Sequence, residues 1–196
     1  MAATALLLLA PEVPMIFMGQ EFDASTPFLY FTDHQGELGR AVTEGRRNEF
    51  SGFRLFADES LRAHVPDPQA ERSFLDSKLR LDERFENAET YAYYKELLRL
   101  RREDPVLSIP DRRRAHAEAI GVHRLSLHRW KGDEHRLLIA NFGHVAEISL
   151  DFVSIANWTM LLSTGERRFG GNGRVTEIAQ GQLIIPARSA TLFAGR

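Results

Sequence analysis

The chain has 196 residues, is 43% hydrophobic and 27% charged, and carries a formal net charge of −2. That supplies enough apolar material for one large core or two small ones, and it excludes a bulk electrostatic pull toward nucleic acid or anionic membrane. Cysteine is absent, which excludes disulfides and thiolate metal sites and fits a reducing, cytoplasmic compartment.

The opening MAATALLLLAPEVP lacks the positive leader of a signal peptide, and its apolar run falls short of the roughly 18–20 residues that cross a bilayer. Ala2 to Ala10 is apolar nearly all round and halted by Pro11, which predicts a helix packed on more than one side. Met15 to Met18 is too short for a helix and is bounded by Pro14 and Gly19. Such a run predicts a strand buried on both faces, as in a parallel sheet under helices. Helix, short loop and buried strand together form the second half of a βαβ unit.

Residues 20–86 show weak periodicity with scattered aromatics, among them Phe22, Phe28, Tyr30, Phe31, Phe50, Phe53, Phe56, Phe74 and Phe85. A connection this long either carries function or contains short helices of its own. NAETYAYYKELLRLRRE predicts a helix from about Asn87 to Arg102. Its apolar stripe is Tyr91, Tyr94, Leu98 and Arg101, widened by Leu97 and Leu100. Asn87 stands as the N-cap, Glu89 sits early, the arginines sit late, and Asp104-Pro105 ends the element.

Past Pro110 the period falls to two. HRLSLHRW (123–130), RLLIANF (136–142), AEISLDF (146–152), WTMLLST (158–164) and GQLIIPARSATLFAG (181–195) predict short strands, with turns at KGDEH and GGNGR. The set predicts a small antiparallel β-sandwich, with the boundary near residues 103–111. GGNGR lacks the strand–helix setting of a dinucleotide loop and is expected to be a hairpin turn. The arginine runs at Arg46-Arg47 and Arg112–Arg114 have acidic neighbours and read as solvated surface. His116, His123, His128, His135 and His144 show no metal-motif spacing and read as ordinary strand and loop residues. Trp130 and Trp158 read as sheet-face packing rather than a sugar platform.

LLLLAPEVPMIFMGQEF resembles the seventh helix and eighth strand of the catalytic barrel in the alpha-amylase family of glycoside hydrolases. ASTPFLYFTDH (24–34), ELGRAVTEGRRNEF (37–50) and FLDSKL (74–79) narrow the resemblance to the malto-oligosyltrehalose trehalohydrolase branch. LLIANFG and PARSATLFAG resemble the all-β domain that follows the barrel. The resemblance implies an α+β fragment: the end of a (β/α)8 barrel (last helix, last strand, long loop, helix), then a C-terminal antiparallel β-sandwich. Residues 1–104 would be the barrel remnant and 111–196 the all-β domain. The activity implied is release of trehalose from maltooligosyl trehalose, with maltodextrin-type substrates and neither cofactor nor metal.

Retaining glycosidases need a nucleophilic carboxylate and a protonated acid about 5 Å apart. In the resembled family these lie on the fourth and fifth strands, with a third carboxylate after the seventh, so no catalytic residue is expected within this chain. Glu21-Asp23 and Asp33-His34 provide no opposed pair to replace them. The expected substrate-binding residues are Glu21, Phe28, Tyr30, Asp33 and His34. Glu21 would sit at the C-terminal end of a barrel strand, where such sites are built. It is read either as a group orienting the site or as a carboxylate satisfied by arginines or backbone amides. Phe28, Tyr30 and Phe31 are read either as a platform for sugar faces or as an inward-packing loop. A lone barrel strand leaves unpaired edges, so residues 1–30 are expected to pack irregularly, to pair with another chain, or to be mobile, with the β domain as the stable unit. Two other readings stay open: the C-terminal part of a glycogen branching enzyme, and a non-catalytic module that stabilises a barrel or binds sugar.

Overall fold

Ala2–Leu9 is helical (α1). Its Ala/Leu composition favours the helix, and Ala10, which precedes Pro11, turns extended and ends it. Ala5, Leu8 and Leu9 are completely buried. The computed structural model describes residues 1–50, 64–149, 157–179 and 182–196. It divides into two units, one of residues 1–23 with 83–196 and one of residues 24–82. Phe53 and Phe56, residues 150–152 of the third expected strand, and residue 181 lie outside the described residues.

In the first unit α1 packs with α5 (Ala88–Glu103) against a five-stranded antiparallel sheet. The short α4 (Glu83–Glu86) precedes α5. The strands are β1 (Ala115–Ala119), β2 (Arg124–Lys131), β3 (Glu134–Asn141), β5 (Trp158–Ser163) and β8 (Ser189–Gly195), in the order β1-β2-β3-β8-β5. A second sheet, β4-β7-β6, consists of β4 (Ala146–Ser149), β6 (Glu177–Ala179) and β7 (Gln182–Ile185). β3 explains the layering. Leu138 and Ala140 join the core shared with the helices, while Leu137 and Ile139 join Ile148, Leu183, Ile185 and Phe193 between the two sheets. Period-two alternation on a strand covered on both sides makes RLLIAN uniformly apolar in character. The sandwich expected past Pro110 is present, with β1 and β6 in addition to the strands read from the sequence.

Four details differ from expectation. Residues 13–17 form no strand and Met18 lies in a turn, and Val13 and Met15 are 90% and 85% exposed. An apolar run specifies a strand only where a neighbouring strand accepts its backbone, and the described residues offer none here. Conversely, α1 packs regularly, so the opening residues are not uniformly irregular: the helix shares one core with the sheet that was expected to stand alone. In α5 the buried stripe is Tyr93, Tyr94, Leu97 and Leu100, whereas Leu98 is 39% exposed. The period is as read but its phase is turned, because Tyr93 meets Phe169 edge-on at 5.2 Å and the Tyr94 hydroxyl lies 3.4 Å from that of Thr4. Finally, GGNGR is not a hairpin turn. It lies on the crossing from β5 in one sheet to β6 in the other. There it folds onto backbone so closely that a Cβ at Gly165 would stand 1.8 Å from the Arg174 carbonyl oxygen. KGDEH is the hairpin: Lys131 pairs with Glu134 around Gly132-Asp133, with Gly132 at φ 59°.

Two arginines bind the end of α1 to the rest of its unit. Arg101 of α5 donates to the carbonyls of Leu8 (2.8 Å), Ala10 (2.6 Å) and Glu12 (2.5 Å). Arg129 of β2 is buried and donates to Leu9 (2.9 Å), Leu107 (3.1 Å) and Ile109. The last carbonyls of a helix have no partner within it and carry its negative dipole end, so cations are favoured there.

The second unit contains α2 (Gly36–Glu49) and α3 (Glu71–Leu75). The long connection therefore carries short helices, one of the two readings left open by its length.

Candidate functional site

The site assembles around residues 27–34, which form neither helix nor strand, and the turn before α3. Thr32 donates its backbone N–H to the Pro68 carbonyl at 2.8 Å, and Leu29 donates to Ser77 Oγ at 2.9 Å. Gln69 joins the two segments through its side chain. Its Oε1 accepts the His34 N–H at 2.9 Å, and its Nε2 donates to Thr32 Oγ1 at 2.5 Å. Asp67 in turn holds Gln69, accepting its backbone N–H at 3.0 Å and the Thr43 hydroxyl at 2.8 Å. The bond from the Gln69 amide, then that from Thr43, then the Arg47 charge hold the Asp67 carboxyl below its ordinary value against a small burial penalty.

These bonds shape a cleft of about 530 Å³ lined by Phe31, Thr32, Asp33, Gln69, Ala70, Glu71 and Phe74. Phe31 and Phe74 meet edge to face with centroids 5.2 Å apart. An aromatic wall opposite carboxylates and an amide can hold the apolar face of a sugar ring and accept hydrogen bonds from its hydroxyls.

The structure treats the five expected residues differently. Asp33 lines the cleft. Phe28 does not line it but packs on Phe31 at 5.9 Å and is half exposed. Tyr30 lies beneath the Arg46 guanidinium, 5.2 Å from the ring centroid, and Arg46 also pairs with Glu49 at 2.6 Å. His34 contributes its backbone N–H rather than its ring to the bonding around the cleft. Glu21 belongs to the other unit, on a 3-10 turn at Gln20–Phe22 between left-handed Gly19 and Asp23. It is half buried and forms no ion pair among the described residues. Thr32, Gln69, Glu71 and Phe74 were not anticipated as site residues. FLDSKL pointed to Phe74 as part of a motif, but nothing in the sequence marks Gln69 as a cross-segment bridge. Among the described residues no three histidine, aspartate or glutamate side chains converge as a metal site, and no helix is long and apolar enough to cross a membrane.

No protein-family model matches the chain. Against curated proteins it is 48% identical over 154 residues to malto-oligosyltrehalose trehalohydrolase of Deinococcus radiodurans, covering 76% of this chain and 25% of that protein. The enzyme of the same name from Arthrobacter ramosus is 44% identical over 128 residues, covering 64% of this chain and 21% of that protein. This chain matches the C-terminal portion of malto-oligosyltrehalose trehalohydrolase. It spans about a quarter of the length of those trehalohydrolases, or less. Among solved structures, a Salmonella typhimurium protein assigned as an alpha amylase superposes with TM-score 0.73 at 26% identity, covering 99% of this chain and 30% of that one. Trehalose-6-phosphate hydrolase of Bacillus licheniformis shares the fold with TM-score 0.57 at 15% identity, covering 99% of this chain and 38% of that one. The chain is thus the C-terminal part of a glycoside hydrolase of alpha-amylase type, as the eighth-strand and TPFLYFTDH resemblances implied.

Proposed function

We propose that this chain serves a trehalohydrolase that releases trehalose from maltooligosyl trehalose in the cytoplasm, as part of trehalose biosynthesis. In this reading residues 1–104 complete the catalytic barrel and residues 111–196 form the all-β domain that braces it. The observation that carries the reading is the 48% identity over 154 residues, three quarters of this chain. The cleft around Phe31, Asp33 and Phe74 then contacts the glucose units of the substrate. Phe28, Tyr30 and His34 shape that segment, and Glu21 orients polar groups at the strand end. The reaction itself requires paired carboxylates about 5 Å apart, and in this reading they come from the preceding part of the enzyme.

The exposed run Val13, Met15, Phe17 and Met18 supports the same reading. Exposed apolar side chains in a run of strand composition call for a covering partner, supplied by the barrel of the same enzyme or, in its absence, by a second copy of the chain. One experiment tests the function: incubate the chain with maltooligosyl trehalose, alone and with the preceding part of a trehalohydrolase added in trans. No trehalose is expected from the chain alone, and release is expected on complementation. Enzyme-like turnover by the isolated chain, or failure of a stable reconstituted complex to turn over, would refute it.

A further inference from the structure

The loop that carries β5 into β6 and the turn between β7 and β8 meet at a cleft of about 370 Å³, lined among others by Thr164, Asn172, Arg174 and Arg188. Its unmatched side-chain groups are donors. The Arg174 and Arg188 guanidiniums have no acceptor among the described residues, although both backbones are fixed: Asn172 Oδ1 accepts the Arg174 N–H at 2.9 Å, and the Gly143 carbonyl accepts the Arg188 N–H at 3.1 Å. With Oδ1 so engaged, Asn172 keeps its NH2 group as a donor. Thr164 is only 7% exposed; its hydroxyl accepts the Ala190 N–H at 2.9 Å and finds no acceptor for its own proton among the described residues. A buried donor left unmatched is costly and calls for a partner. None of the lining residues carries a carboxylate, and the loop's own, Glu166, is committed to Arg168 at 2.8 Å and to the Ser163 N–H at 2.7 Å. Arg188 also stands at φ 50°, in the left-handed region that a β-carbon disfavours.

We propose that this cleft binds a phosphate group, as the free anion or as the monoester of a small sugar. Guanidinium forks match phosphate oxygens bidentately, and the pairing is charge-assisted. Phosphate brings enough acceptor oxygens for both arginines and for the Thr164 hydroxyl, whereas a carboxylate has only two. A neutral sugar brings as many donors as acceptors to a site whose free groups only donate. The volume falls in the range of about 300–1,000 Å³ that holds small molecules, so a sugar attached to the phosphate fits beside it. Both guanidiniums are exposed, so salt screens their pull, and the expected Kd is on the order of 1 mM or tighter. The cleft belongs to the unit of residues 1–23 and 83–196, and the aromatic cleft to residues 24–82. The proposal therefore stands independently of the trehalohydrolase reading.

The test titrates the intact chain at low salt with inorganic phosphate, glucose 6-phosphate and glucose, following backbone amide shifts. Both phosphate compounds are expected to give saturable shifts centred on residues 164–174 and 186–189, and glucose none there. Tighter binding of glucose 6-phosphate makes a sugar ester the ligand; equal or weaker binding makes it the free anion. Arg174→Gln and Arg188→Gln are each expected to weaken binding about tenfold or more, the loss of a hydrogen bond to a charged group. Arg188→Gly guards against a folding artefact. Glycine tolerates the left-handed backbone, so the turn keeps its shape while the guanidinium is gone, and binding is expected to weaken by the same factor. Arg113→Gln, whose guanidinium pairs with Asp111, is expected to leave binding unchanged. No saturation by either phosphate compound, an equal response of these residues to glucose, or undiminished binding in Arg188→Gly would overturn the proposal.

Discussion

Arg129 sets up a direct contest between two opposing energies. Its guanidinium is 2% exposed and bonded to three carbonyls, with no ion-pair partner among the described residues. Burying a charge without a paired carboxylate costs several kcal/mol, and apolar replacement of buried charges has stabilised other proteins. Against this, Arg129→Met would leave the Leu9 and Leu107 carbonyls without this donor in a dry interior, at roughly 1–3 kcal/mol each, while the Ile109 carbonyl keeps the Asp111 N–H at 2.9 Å. The Leu9 carbonyl also lies at the negative end of the α1 dipole, where a cation is favoured. Two orphaned carbonyls, one of them at the helix end, outweigh the relieved desolvation, and the substitution is expected to destabilise this unit by about 2–4 kcal/mol. Arg101→Met removes a similar set of bonds, but Ala10 and Glu12 are less buried, so water can replace the donor at two of the three carbonyls. It should cost only about 1 kcal/mol. Both tryptophans, Trp130 and Trp158, lie in this unit. Urea unfolding followed by tryptophan fluorescence therefore reads it selectively, with a midpoint drop of about 1–2 M expected for Arg129→Met. Amide exchange should accelerate at Leu6–Ala10 at the same time. An unchanged or raised midpoint would show that desolvation dominates and that the carbonyl clamp is not what fastens α1.

Asp104 accepts from Arg136 at 2.8 Å, with both side chains buried, and also caps the backbone N–H groups of Val106 and Leu107. Asp104→Ala leaves the buried Arg136 charge only the longer Glu134 pair at 3.4 Å and unmakes both caps, and it should cost about 3 kcal/mol by the same urea assay. Phe74→Ala removes the edge contact to Phe31 and one wall of the cleft. Maltodextrin binding by the reconstituted enzyme should weaken about tenfold by calorimetry, equivalent to about 1.4 kcal/mol. Asp67 is depressed in the folded state, so its contribution is fully present above the unfolded value near 3.8 and is lost as pH falls through the lower folded value. Amide protection at Thr32 and Gln69 should therefore fall below about pH 4, and Asp67→Asn should flatten that dependence.

The strands that read most clearly in the sequence are those whose surroundings come from nearby in the chain. β2 and β3 carry strong apolar patterns and a glycine-led two-residue turn, so their pairing follows from local chemistry. β1 (AHAEA) shows no apolar alternation because it is an edge strand with four of its five residues exposed, and pairing with β2 alone defines it. The failure at Met15–Met18 is the converse case. Its composition is that of a buried strand, but a strand is a relation between two segments, and the second is not among the described residues. The α5 phase follows the same logic: the spacing sets the period, while Phe169 and α1 decide which residues face inward.

The candidate site was legible to the extent that it rests on one continuous segment. TPFLYFTDH is the stretch that supplies one side of the cleft, and Asp33 lines it. Within that stretch the extended backbone sends successive side chains to different surroundings, so Tyr30 meets Arg46 while Phe31 meets Phe74. Such an assignment needs the opposite wall, and that wall comes from residues 69–74, about forty positions later. Gln69 has no helical or strand periodicity to mark it, yet one carboxamide oriented by Asp67 joins both walls. Where a functional arrangement is made by bonds between distant segments, the residue types are visible in the sequence, but their convergence is a property of the fold.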